Sequence, residues 1–146
     1  MIDEKLKANT LDHINKMLEE IRSLSLLVET GLKIADKDED LVSHFRLLNA
    51  KSFLGLAQAD LLTALYGMEK FASKKGSKRI VEELITMATE HLSLAKLSYA
   101  YYMEYRNNPG RSIEEIFEAA ANTVESIYIS NLLKVRINFR FNSYFF

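Results

Sequence analysis

Between Thr10 and Ala35 the apolar residues recur on a seven-residue repeat. Leu11, Ile14, Leu18, Ile21, Val28, Leu32 and Ala35 hold the repeat positions, and Ser25 is the only interruption. A repeat of this kind brings one side of a helix round to the same neighbour turn after turn, so it predicts a long amphipathic helix with a continuous packing stripe. A second segment carries two apolar rows, Leu47/Leu54/Leu61/Met68 and Leu41/Leu48/Leu62, with the small residues Ser52, Gly55 and Ala59 between them. Small residues at helical spacing let a neighbouring backbone come close. The third segment is apolar nearly all round, from Ile80, Leu84, Met87, Ala88, Leu92 and Ala95 to Tyr99, Tyr101, Tyr102 and Tyr105. A fourth shows Ile113, Phe117, Ala120, Val124 and Ile127.

The breaks between these segments are few. One proline and five glycines serve the whole chain, and turn-forming residues gather at 33–40, 73–79 and 106–112. Helix starts are signalled by Asp38 ahead of Glu39 and Asp40, by Ser77 ahead of Glu82 and Glu83, and by Ser112 with Glu115, a capping-box spacing. Four long helical segments joined by short turns predict an all-α fold, an antiparallel up-down-up-down four-helix bundle over residues 1–134. The apolar faces of the second and third segments are wider than a bundle seam needs, and a face of that width predicts a homo-oligomer.

The last residues break the helical pattern. From Val135 to Asn142, apolar Val135, Ile137, Phe139 and Phe141 alternate with Arg136, Asn138, Arg140 and Asn142. That is the two-residue period of a half-buried strand, and a lone strand must pair with something. Residues 135–146 are therefore expected to form a strand-like C-terminal interaction arm. Its contact residues are Val135, Ile137, Phe139, Phe141, Tyr144, Phe145 and Phe146, and it pairs with a second copy or a protein partner. Packing of these aromatics over the end of their own bundle is the competing expectation.

Composition narrows the chemistry. The 146 residues are enough for one domain with a real core, and 19 basic against 20 acidic residues leave a net charge of −1, so the whole-molecule field selects no partner. With no cysteine, disulfides, thiol catalysis and cysteine-held zinc are out. No charge-free run long enough for a membrane span and no signal-peptide pattern is present, so the expected setting is soluble and cytoplasmic.

The chain lacks the signatures that chemistry in a helical bundle usually carries. Di-iron bundles need a glutamate three residues before a histidine, whereas His13, His44 and His91 follow Thr10, Leu41 and Ala88 at that distance. No arginine stands four to six residues ahead of a histidine, and there is no phosphate-cradling glycine loop or nucleophile elbow. His13 and His91 fall near the same height of an ideal bundle, with Asp12, Asp60, Glu90 and Glu125 nearby, which suggests a metal site as a minor alternative. A hydrogen-bonded core histidine is the preferred expectation, with no metal and no cofactor. The tyrosines, spread round their helix, are expected to fill core and interface rather than stack on bases. Lys74, Lys75, Lys78 and Arg79, with Arg136 and Arg140, make one bundle end basic, which offers nucleic-acid binding as an alternative; a solvated turn is preferred. The expected function is accordingly non-enzymatic: a helical bundle that acts through self-assembly and protein–protein interaction.

Overall fold

The computed structural model describes residues 2–123, and every described secondary-structure element is helical. The elements are α1 (Glu4–Lys37), α2 (Leu41–Lys70), α3 (Ser77–Asn107) and α4 (Ile113–Thr123). The proposed arm, residues 135–146, lies outside the described residues, as do Lys134, Arg136 and Arg140.

The helix ends follow from local chemistry. The Asp3 carboxylate accepts from Leu6 N at 2.8 Å and opens α1. Asp38 closes α1, and Glu39 turns the chain through the left-handed region at φ 54°. Asp40 opens α2: its carboxylate accepts from Ser43 N at 3.1 Å and from the Ser43 hydroxyl at 2.6 Å. Asp38 is therefore a closing residue, and the opening role falls to Asp40, because the carboxylate must stand three residues before the amide it caps. Ser77 also differs from expectation. Gly76, at φ 83°, occupies the capping position of α3, and the Ser77 hydroxyl donates to Ala72 O at 3.1 Å, fastening the helix start to the preceding turn. Ser112 caps α4 as the sequence predicts, accepting from Glu115 N at 3.2 Å while its hydroxyl donates to the Glu115 carboxylate at 3.0 Å.

Cross-helix contacts set the directions. Ile2 N donates to Ala72 O at 3.2 Å and Lys51 pairs with Glu29 at 2.9 Å, so α1 and α2 run oppositely. Asp60 meets His91 at 2.7 Å and Arg46 covers the Tyr101 ring at 4.0 Å, so α2 and α3 do too. Lys96 reaches Glu20 at 2.9 Å and the Thr89 hydroxyl approaches Met17 Sδ at 3.9 Å, tying α3 to α1. The main core draws on all three: Ile14, Ile21 and Val28 of α1, Leu47, Leu54 and Leu61 of α2, and Val81, Leu92 and Tyr102 of α3. The α2–α3 interface is the most extensive and α1–α2 comes next. A smaller cluster holds α4, whose Ile116 and Ala120 pack on Leu97, Ala100, Tyr101 and Tyr105.

Candidate functional site

The residues that stand out are on α2, and they form two rows. The buried row is Ser43, Leu47, Ala50, Leu54, Ala57, Leu61, Ala64 and Met68, stepping alternately by four and three residues. A second row with the same steps is Leu41, Phe45, Leu48, Ser52, Gly55, Ala59, Leu62 and Tyr66, each two residues ahead of a buried one. Two residues turn a helix by about 200°, so the rows lie back to back. Every member of the second row is exposed, its large side chains from 42% at Leu48 to 80% at Leu41. Leu48 and Leu62, read from the sequence as packing residues alongside Leu41, thus face outward. Periodicity identifies a stripe but cannot say which of two stripes the chain itself covers.

The charge on α2 sharpens the contrast. Between Phe45 and Met68 its ionisable side chains, tyrosine aside, are Arg46, Lys51 and Asp60. Arg46 lies over Tyr101 of α3, Lys51 pairs with Glu29 of α1, and Asp60 meets His91 of α3. All three reach a neighbouring helix of their own chain, and Arg46 also lies 5.5 Å from the ring centroid of Phe45 in the outward row. The outward row is left with leucines, aromatics and small residues, and a hypothetical Cβ on Gly55 would meet nothing within 4 Å. A continuous apolar helix face of this length is the mark of a contact surface rather than of scattered surface leucines.

The other predicted site residues are dispersed. His13 is exposed on α1. His91 is partly buried between α3 and α2, bonded through Nδ1 to Asp60 and stacked on Phe53 with ring centroids 6.5 Å apart. His44 meets Asp36 at 2.9 Å at the α1–α2 turn. Among the described residues no group of three or more His, Asp or Glu is placed to hold a metal ion. Of the residues expected near one height, His91 and Asp60 do meet, while His13 is exposed on α1 and takes no part. Burial pushes the Asp60 carboxyl above the usual range, and the hydrogen bond and charge of His91 pull it back only in part.

The tyrosines fill space, as expected. Tyr101 and Tyr102 are buried, Tyr99 and Tyr105 half-buried. The Tyr102 hydroxyl accepts from Arg106 at 2.8 Å, and this bond, ahead of the nearby Asp38 and Asp40, holds the Arg106 guanidinium more firmly protonated than usual. At the α2–α3 turn Lys74, Lys75, Lys78 and Arg79 are exposed; Lys78 and Arg79 face Glu82 and Glu83 at 4.0 and 3.5 Å. No helix among the described residues is long and apolar enough to cross a membrane. No family model, curated protein or solved structure matches the chain.

Proposed function

We propose that this protein is a non-enzymatic helical scaffold that acts by assembling, with copies of itself and through a C-terminal arm. The observation that carries this is the outward row of α2, a helix face with no charge of its own while the charges beside it are engaged within the chain. Burial of apolar surface drives association, at about 25 cal/mol per Å² removed from water. The proposal includes the full up-down-up-down arrangement of four helices over residues 1–134 and the strand-like arm over 135–146. Nucleic-acid binding by Lys74, Lys75, Lys78 and Arg79 with Arg136 and Arg140 is the less supported reading, as Lys78 and Arg79 face Glu82 and Glu83; a salt-dependent affinity for DNA or RNA at low ionic strength would reinstate it.

The arm is tested by deleting residues 135–146 and measuring mass in solution together with the helical circular-dichroism signal. The helical signal is expected to survive while oligomer mass or solubility falls. Replacing Phe139 and Phe141 with Lys keeps the backbone and charges the buried face, and should weaken assembly by several kcal/mol, roughly the cost of burying unpaired charge. Unchanged mass and melting temperature after deletion would remove the arm from the mechanism.

A further inference from the structure

Resting on the assembly function proposed above, we infer that two copies dimerise through the outward row of α2, with the two α2 helices antiparallel about a two-fold axis between Phe53 and Leu54. The row's steps of four and three residues are symmetric about that point. An antiparallel pairing sets Ser52 against the partner's Gly55 and Leu48 against the partner's Ala59. Further out it sets Phe45 against the partner's Leu62 and Leu41 against the partner's Tyr66. The sizes match the geometry of crossing helices. Two helices inclined at about 20° are closest, near 8 Å, at the axis, and separate toward about 10 Å over the half-length of this row. Small–small and large–small pairs occupy the narrow centre, and large–large pairs fill the wider ends.

Charge selects antiparallel over parallel. The α1–α2 turn carries Asp36, Asp38, Glu39 and Asp40 against Lys37 and the nearby Arg106. The α2–α3 end carries Lys70, Lys74, Lys75, Lys78 and Arg79 against Glu69, Glu82 and Glu83, the α1 start beside it adding Asp3 and Glu4 balanced by Lys5 and Lys7. A parallel pair would set acidic turn beside acidic turn and basic beside basic; an antiparallel pair sets opposite ends together. Area supports a second copy as occupant. From the exposures of Leu41, Phe45, Leu48, Leu62 and Tyr66, with Val42 and Leu56 on their flanks, roughly 600 Å² per copy is open to burial. The pair then totals about 1,200 Å², the lower edge for stable specific interfaces, so the dimer should depend visibly on concentration.

The absence of cysteine makes the test direct. Single substitutions are made in the full chain, the mass is followed by light scattering across concentrations, and disulfide formation is driven by a mild oxidant. The expected result is a parent mass of two chains, or a multiple of two where the C-terminal arm joins dimers. Ser52→Cys and Gly55→Cys, each about 4.5 Å along the axis from its own copy, should cross-link to themselves. Leu41→Cys and Tyr66→Cys, each about 37 Å from its copy, should cross-link only when mixed with one another. Ala59→Glu, at an exposed position, should keep the helical signal and weaken the dimer at least a hundredfold. An oligomer of unchanged mass and affinity in Ala59→Glu, or one in which Leu41→Cys links to itself, would overturn this pairing and leave assembly by other surfaces standing. A single-chain mass at every concentration would overturn both, whether residues 124–146 or a different protein covers the row.

Discussion

Gly31 and Gly55 show how one residue type serves two purposes. A Cβ on Gly31 would stand 3.0 and 3.2 Å from the two methyls of Leu47 and 3.4 Å from the Tyr102 ring, all side chains of the closed core. Gly31 is what lets α1 settle against α2 and α3 at that level. Gly55 meets nothing, so only its helix propensity is at stake within the chain. Alanine gains about 1 kcal/mol over glycine inside a helix, whereas overpacking a core costs about 1–3 kcal/mol. Gly55→Ala should therefore stabilise the dilute protein by up to about 1 kcal/mol, and Gly31→Ala should destabilise it on balance by about 1 kcal/mol. Denaturant melts at low concentration compare the two. Neither role could be read locally, since both glycines sit inside helical patterns and only the neighbouring helix tells them apart.

At the scale of elements, α2 and α3 are fastened by Asp60 and His91, and that joint responds to pH. Asp60 in the folded chain holds its proton more tightly than at the usual value of 3.8, because burial outweighs the help it receives from His91. Its contribution to stability is thus fully present below about pH 3.8, and is lost as pH rises through the raised value. Asp60→Asn keeps a hydrogen-bonding group beside His91 and removes this loss. Urea melts between pH 3.5 and 7 should show the variant gaining on the parent as pH rises across that window; identical profiles would mean the carboxyl is not desolvated. Much of the element structure was legible in the sequence. The heptad of α1, the Leu47/Leu54/Leu61/Met68 row and all three turns are where hydrophobic periodicity and turn chemistry set them. The alanine half of the α2 core, Ala50, Ala57 and Ala64, was not, because a methyl side chain contributes little to a hydrophobic pattern however completely it is enclosed. The outward row was visible as a stripe, but which stripe faced out depends on the charges of α1 and α3, which are distant in sequence.

For the whole molecule, the unequal sharing of contacts among the helices is what sets its order of opening. α2 is packed by α1 on one side and by α3 on the other, with its longest interface to α3, while α4 rests on α3 through the small cluster around Ile116 and Ala120. Proteins open locally in units whose cost follows the apolar surface each unit gives up. Amide hydrogen exchange should then proceed in a set sequence. The amides of α4 should exchange first, those of α1 next, and those of α2 and α3 last and together. Uniform protection across the four helices would contradict this hierarchy. If α2 also meets a second copy, its protection should rise with protein concentration while that of α4 does not. Exchange kinetics would in that case report assembly and internal packing from a single helix, one that faces a core on one side and a partner on the other.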